Sequence, residues 1–469
     1  MLASADRPSV DEVFAAQRET AIALRTSTAQ IRLEKLRRLE GAFLAHRNAI
    51  YRALADDLRK PEAEADLFEI LPVLSGIRHA RRHLNSWMKP QRAWPTMTMV
   101  GTSARIYYEP RGVALIIAPW NYPVSLLLGP LASAIAAGCT AILKPSEISP
   151  SCSAVLTKMI GEAYAPNEIA AFEGDATVAA RLFDLPFDHI FFTGSPAIGK
   201  VVMTAAAKHL SSVTLELGGK SPVIVDESAD LAKAASSIAW GKFTNCGQTC
   251  IAPDYAYVDQ RLMPQFAEAM NAAIKRQYGD PAQSADYCRI INQRHFDRIC
   301  GLVDEAVAAG ATILSGGQRD RGQIFIAPTL IAGMETQSRI MQEEIFGPVL
   351  PILPYTRLAE PIAAINARPK PLALYVFAKD QERVRRILKE TSAGGSCVNA
   401  AIMQFAHENL PFGGIGTSGL GKAHGFYGFR AFSHERAVLE DRFSVTPLLY
   451  PPYTRRVQQM IKWITDYLS

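Results

Sequence analysis

Between residues 11 and 89 apolar side chains recur at three- and four-residue intervals with charges between them, as in IRLEKLRRLEGAFLAHRNAIYRALADDL. That period predicts amphipathic helices, and Pro61 opens a further one that runs to about Leu84. The next piece, TMTMVGTSARIYYEP, alternates polar and apolar positions and reads as an exposed hairpin with an edge for another chain to pair with. Then the pattern changes. From Gly112 to Leu143 no residue is charged, which is long enough to suggest a membrane span. Pro119, Pro123 and Pro130 interrupt that stretch, however, and Asn121 would lack a partner in lipid. A buried strand over 113–117, a Pro-rich turn, a helix over about 126–137 and a second strand over 140–143 fit better, as a βαβ unit covered on both faces.

Downstream, DHIFFTGSPAIGKVVMTAAAKHL predicts a strand over 190–192, a glycine turn over 194–199 and a helix from Lys200. SVTLELGGKSPVIVDESAD predicts two short strands with Gly218-Gly219 at the turn between them. Strand–helix alternation resumes at Leu231 and runs to about Val398, so the expected fold class is α/β, with two domains each built on a mainly parallel sheet. In the tail, Leu448, Tyr450, Pro451 and Pro452 suggest an extended strap. Val457, Met460, Ile461, Ile464 and Leu468 then share one face of a short helix. Arg455, Arg456, Lys462 and Trp463 give that helix an interfacial character. Packing against the body of the protein or a partner subunit is favoured over peripheral membrane contact, and the tail has no apolar run long enough to span.

Length and charge narrow the classes. A chain of 469 residues exceeds one ordinary core. The excess of 50 Lys+Arg over 45 Asp+Glu is too small and too dispersed for a nucleic-acid footprint. The densest run, RHARRHLNSWMK, reads as a solvated helix face. MLASADRPSVDE has no apolar centre of the secretory kind, and seven irregularly spaced cysteines point to a reducing, cytoplasmic setting.

Four stretches carry candidate chemistry. GSPAIGKV, from Gly194, nearly matches a P-loop, but Val201 lacks the hydroxyl that Mg²⁺ needs and Pro196 breaks the dinucleotide fingerprint. What remains is a Gly-rich entry into a helix whose amides favour a phosphate. FTNCGQTCIAPD places Cys246 and Cys250 four positions apart, without the further thiol or imidazole ligands that zinc requires. Gly247 permits a tight turn that turns main-chain N–H groups toward Cys250, an arrangement suited to a nucleophile and an oxyanion; a buried inert thiol is the alternative. Glu216 ends an apolar strand, where desolvation raises a carboxyl pKa and suits a general base, unless Lys220 pairs with it. In APWNYP, Trp120 and Asn121 lie just past a strand end, where open α/β sheets bind ligands, and an Asn amide can donate to an oxyanion.

PWNYP, KPSE, FTGS followed by IGK, LELGGKSP, GQTC, EEIFGPV and LPFGGIGTSG occur in the order and approximate spacing of the aldehyde dehydrogenases. From about Val13 to the tail the chain resembles that family. NCGQTCIAPDY, NLPFGGIGTSGLGKAHG and FSHERAV followed by YPPY resemble its class 3 branch of fatty and aromatic aldehyde dehydrogenases.

The resemblance implies two Rossmann-like domains: NAD(P)-binding over 1–93 and 111–213, catalytic over 214–398. Oligomerisation strands at 94–110 and 425–440 would pair in a homodimer, and 441–469 would form a tail. It implies that Cys250 attacks the aldehyde, that Asn121 and the Cys250 amide hold the oxyanion, and that Glu216 activates water against the thioester. Trp120, Lys144, Glu147, Gly194, Ser195, Glu344 and Phe346 would hold the cofactor. Glu147 favours NAD by repelling a 2′-phosphate, while Lys144 leaves room for NADP. Pro196 stands where Thr is frequent, which bears on cofactor preference. Gln404 stands where His is frequent, which bears on the aldehyde pocket. Two rival readings are a CoA-acylating aldehyde dehydrogenase, which the water-activating Glu216 opposes, and a nucleotide-binding protein on the same fold without this activity.

Overall fold

A computed structural model describes residues 8–94 and 96–467. Two parallel-based sheets form its two centres, and the expected elements recur closely. The charge-free stretch is indeed strand, helix, strand: Val113–Ile117, Ser125–Ala137 and Thr140–Lys144. Both strands are buried at every position, because helices cover both faces of the sheet. Among the described residues no helix is long and apolar enough to cross a membrane.

The first sheet runs Gly419–Leu420, Ser212–Leu217, His189–Gly194, Val113–Ile117, Thr140–Lys144, Ile169–Ala171, parallel except at its first pair. Strand order reverses between Val113–Ile117 and His189–Gly194: the chain builds outward on one side, then returns to the other. Ligands bind at such a switch point, beyond the carboxyl ends of the strands. The second sheet runs Thr312–Ser315, Thr329–Ala332, Val349–Tyr355, Tyr255–Asp259, Pro222–Val225, Ala373–Phe377, Gly395–Val398, antiparallel only at its first pair.

Several expectations shift. The helix after His189–Gly194 begins at Pro196, not Lys200, because Ser195 caps it by accepting from the Ile198 amide (3.4 Å) and proline suits the first turn. The strands flanking Gly218-Gly219 belong to different sheets, so this turn is the crossing between domains. The expected boundary at 213/214 therefore falls inside Ser212–Leu217, a strand of the first sheet.

A third, antiparallel sheet joins Gln91–Ala93, Thr102–Pro110 and Ser433–Asp441. The expected strand over 425–440 is thus partly helix, Gly425–Ala431, whose Phe429 is fully buried against the first domain. In the Arg-rich helix Leu71–Trp87, Arg78 and Arg81 pair with Glu40. The tail helix Arg455–Tyr467 buries no side chain in this single chain. Leu468, assigned to its apolar face, lies outside the described residues.

Candidate active site

A cleft of about 240 Å³ opens between the two sheets. The first sheet contributes carboxyl ends: Pro119 to Asn121 after Val113–Ile117, Gly194 and Ser195 at the end of His189–Gly194, and Glu216 and Gly218 at the end of Ser212–Leu217. The second contributes amino ends: Cys250 precedes Tyr255–Asp259, and Glu344 and Phe346 precede Val349–Tyr355. Eight of the ten expected site residues line this one cleft; Lys144 and Glu147 do not.

Cys250 reaches the cleft through an unusual backbone. Asn245, Cys246 and Gly247 are consecutively left-handed, with φ of 51°, 55° and 74°. Glycine is required at the third place, since a Cβ there would stand 2.3 Å from the Gly347 carbonyl oxygen. Gln248 secures the turn: its Nε2 donates to the carbonyls of Asn245 and Arg289 (both 3.0 Å), and its Oε1 accepts from the Ile291 amide (2.9 Å). Beyond Cys250, the Tyr375 hydroxyl donates to the Ile251 carbonyl and accepts from Gln404 Nε2 (3.2 Å). Gln404 also accepts from the Cys397 thiol, so it holds the loop after Cys250 indirectly, and it is not among the residues lining the cleft.

Burial pushes the Cys250 thiol up to about 12. The carboxylates of Glu344 and Glu216 add to the shift, while the amides of Cys250 and Ile251 oppose it. Cys246 is also pushed up to about 12, but it is fully buried and its Sγ donates to the Tyr287 hydroxyl (3.4 Å). It packs in the core of the second domain, away from the cleft.

Glu216 is 5% exposed, and neither carboxylate oxygen has a hydrogen-bond partner among the described residues. Burial raises its pKa well above the carboxylate range, and the charge of Lys422 only moderates this. Lys220, the expected rival partner, is occupied elsewhere: its Nζ pairs with Asp254 and donates to the carbonyls of Ile340 (2.9 Å) and Glu343 (2.7 Å).

Asn121 is 3% exposed and donates from Nδ2 to the Gln248 carbonyl (3.0 Å). Its own carbonyl accepts from Asn245 Nδ2 (2.9 Å) and Lys60 Nζ (3.2 Å). Lys60 is tied to Glu69 in a fully buried ion pair (2.8 Å), and Glu69 accepts from the Ser125 amide (2.9 Å). This network locks the loop after Val113–Ile117 to the turn that precedes Cys250.

The remaining surfaces fit a dinucleotide. The N-terminus of the 14-residue helix Pro196–His209 opens beside Gly194 and Ser195, a dipole end suited to a diphosphate. A Cβ on Gly218 would stand 2.1 Å from Glu344 Oε2, so this glycine lets the carboxylate lie against the domain crossing. Glu344 accepts from the Gly219 amide and is raised by burial to about 8. Lys144 ends its strand as a buried cation paired with Glu147 (2.6 Å).

Two cleft residues had no sequence signal. His295 packs on the Trp120 ring (4.9 Å between centroids) with its Nδ1 buried and unpartnered among the described residues. Arg298 donates to the carbonyls of Glu344 (3.2 Å) and Ile345 (2.6 Å). Both lie on one helix, Gln293–Ala308, whose amphipathic pattern looks like any other.

The decisive comparison is with the family model described as the aldehyde dehydrogenase family, which matches residues 1–438. The chain belongs to the aldehyde dehydrogenase family. This aldehyde dehydrogenase is 44% identical over 415 residues to the 4,4'-diaponeurosporen-aldehyde dehydrogenase of Staphylococcus aureus, covering 88% of this chain and 90% of the relative. It is 42% identical over 444 residues to mouse aldehyde dehydrogenase family 3 member B3, covering 94% and 91%. The solved substrate-bound structure of Staphylococcus aureus AldH superposes with a TM-score of 0.93 at 40% identity, covering 98% of this chain and 100% of that one. The aldehyde dehydrogenase fold, the class 3 resemblance and NAD(P)⁺-dependent oxidation of aldehydes follow from these matches.

Proposed function

We propose that Cys250, Asn121 and Glu216 divide the reaction among them. Cys250 gives up its thiol proton to solvent and adds as thiolate to the aldehyde carbonyl, and the oxyanion takes hydrogen bonds from the Cys250 amide and from the second Nδ2–H of Asn121. Bound NAD(P)⁺ supplies the hydride acceptor that turns the thiohemiacetal into a thioester. Glu216 then takes a proton from water, which adds to the thioester and releases the acid. The observation that carries this reading is that Glu216, with both oxygens unpartnered, shares one cleft with Cys250 and Asn121. A water-activating base opposes the CoA-acylating alternative.

Trp120, Gly194, Ser195, Glu344 and Phe346 would hold the nicotinamide and diphosphate, and the Lys144–Glu147 pair the adenosine ribose. Glu147 favours NAD, and displacement of Lys144 from that pair would admit NADP. The preferred substrates are medium- or long-chain aliphatic or aromatic aldehydes. The rings of Phe68, Tyr122 and Trp240 support this, standing 5.6–6.1 Å apart with the Tyr122 hydroxyl 2.8 Å from Thr249 Oγ1, next to the nucleophile. The Staphylococcus relative, named for a carotenoid aldehyde, points the same way. The small antiparallel sheet would pair across a cytoplasmic homodimer, tested by solution mass.

The test is NADH or NADPH formation with hexanal, benzaldehyde and a longer enal, each cofactor in turn and no CoA. Activity that Cys250→Ala abolishes supports the reading. Activity unchanged in that variant, or dependent on CoA, overturns it.

A further inference from the structure

The loop that carries Asn121 is short, running from the end of Val113–Ile117 to the first turn of Ser125–Ala137. That helix has no side-chain cap of its own, and its first amides need acceptors. Glu69 supplies one from another element. Its Oε2 accepts from the Ser125 amide (2.9 Å), at a helix end whose dipole favours a carboxylate. Its Oε1 pairs with Lys60 (2.8 Å). Lys60 Nζ in turn donates to the Asn121 carbonyl (3.2 Å) and stands 4.1 Å from the centre of the Tyr122 ring. One ion pair thus holds the loop at Asn121, at Tyr122 and at Ser125.

Two backbone irregularities deliver the pair. Arg59, left-handed with φ of 50°, ends the helix Arg47–Leu58 and leaves Lys60 buried ahead of Pro61. Asp66–Ile70 is a single π-helical turn between the α-helical segments Glu62–Ala65 and Leu71–Trp87. Such turns are rare and gather at functional sites, and the residue added offsets the following helix by about 100°. Phe68 and Glu69, neighbours in that turn, both reach the Asn121 loop: the Phe68 ring packs 6.1 Å from that of Tyr122. Just before the turn, Glu64 accepts from the Asn245 amide (2.9 Å) in the bend that precedes Cys250.

The energetics point away from stability as the purpose. Neither side chain of the pair has any exposed surface. The cost of taking two ions out of water largely offsets their attraction, and apolar replacements of similar volume are often as stable. The bonds to main-chain groups, by contrast, fix geometry. Asn121 Nδ2 gives one hydrogen to the Gln248 carbonyl, so the Asn121 backbone decides where the other one points. From this arrangement we infer that Lys60 and Glu69 are positioning residues of the oxyanion site, holding the Asn121 amide toward the oxygen of the thiohemiacetal. Neither touches the substrate. The inference rests on the reading of Asn121 as an oxyanion donor.

Lys60→Met combined with Glu69→Gln tests it, because both charges go while the Ser125 amide keeps an acceptor. The NADH burst should slow by about 10- to 100-fold, as expected for an ångström of displacement near the reacting atoms. Cofactor affinity, read by fluorescence titration, should not change. The decisive reading is a cycle with Asn121→Ala. Without that amide there is nothing left to position, so the combined variant should be no slower than Asn121→Ala alone. If the pair variant does not fold, Glu69→Gln alone should give a smaller slowing and the same loss of effect beside Asn121→Ala.

A wild-type burst in the pair variant, with Asn121→Ala slow, overturns the inference and leaves the oxyanion reading standing. Slowing that multiplies with that of Asn121→Ala, or a loss of cofactor affinity alongside it, overturns it as well, since the pair would then act elsewhere. A normal burst in Asn121→Ala would remove the oxyanion reading and the inference together.

Discussion

The first sheet meets the cleft with the carboxyl ends of its strands and the second with the amino ends of its own, and the two rims are built differently. On the first rim, function follows from where strands stop. Asn121 stands in a loop at the switch point, Ser195 opens a helix, and Glu216 ends a strand. On the second rim, the backbone is bent to deliver its side chains. Three consecutive left-handed residues precede Cys250, and Phe346 beside Glu344 is left-handed as well, with φ of 49°. Gln248, Tyr375 and the Lys220–Asp254 pair hold those bends in place. The first rim should therefore fail by losing a chemical group, and the second by misplacing one.

Removal of Cys250 itself apart, the largest effect should come from the first rim. Glu216→Gln is expected to lower steady-state turnover by about 10²- to 10⁴-fold, the usual worth of a general base. One burst of NADH per active site should remain, because acylation precedes the water step. A lost burst in stopped-flow absorbance would mean that Glu216 also activates the thiol. Asn121→Ala should cost about 10²- to 10³-fold in kcat, as for one oxyanion donor. Unlike Glu216→Gln, it should slow the burst itself. It also removes the tie to the Gln248 carbonyl, so the rims are not wholly independent here.

Gly247→Ala probes the second rim. The methyl group would stand 2.3 Å from the Gly347 carbonyl oxygen, and alanine resists the left-handed φ by roughly 1–2 kcal/mol. Displacing Cys250 by even an ångström should lower kcat by about 10²-fold or less, together with a loss of thermal stability. Normal kcat in a less stable protein would show that the bend serves folding alone.

A smaller effect concerns the stability cost of the first rim. The Glu216 pKa is raised in the folded state, so the folded protein holds a proton that the unfolded chain releases above about 4.5. Stability is therefore lost as pH rises from that value toward the folded-state pKa. Glu216→Gln escapes the penalty. It should melt above the wild type at pH 7, by on the order of 1 °C per kcal/mol recovered in a chain of 469 residues, and match it near pH 4. A melting difference independent of pH would mean that desolvation of the charge is not the cause.

The same contrast explains what was legible beforehand. The charge-free strand–helix–strand and the Pro-Trp-Asn turn could be read from periodicity and proline, because carboxyl-end loops follow from where strands end. Cys250 stood out by the Gly247 turn before it, whereas Glu344 and Phe346 were reached through the family motifs. Their delivery was not readable, since left-handed φ at Asn245 and Cys246 is imposed by tertiary contacts and has no local signature. His295 and Arg298 were missed for the same reason: only the approach of one helix to the crossing makes them cleft residues. Gln404, expected to bear on the aldehyde pocket, is tied to the Cys250 loop through Tyr375, a connection between elements far apart in the chain that the sequence does not display.

The smallest expected effect lies within the second rim, between its two cysteines. Both thiols are pushed up to about 12, so acidity does not tell them apart. Surroundings do. Cys250 faces the cleft with two main-chain amides beside its sulfur, whereas Cys246 is enclosed in the core with Tyr287 as its partner. Cys246→Ser keeps a small donor for that tyrosine, and it should change kcat by about twofold at most while costing roughly 1 kcal/mol for a more polar group in an apolar site. Alkylation followed by mass spectrometry should label Cys250 first and leave Cys246 unmodified until the protein unfolds. Equal labelling of the two in the native enzyme would mean that the left-handed turn opens in solution, and the contrast between a delivered thiol and a packed one would not hold.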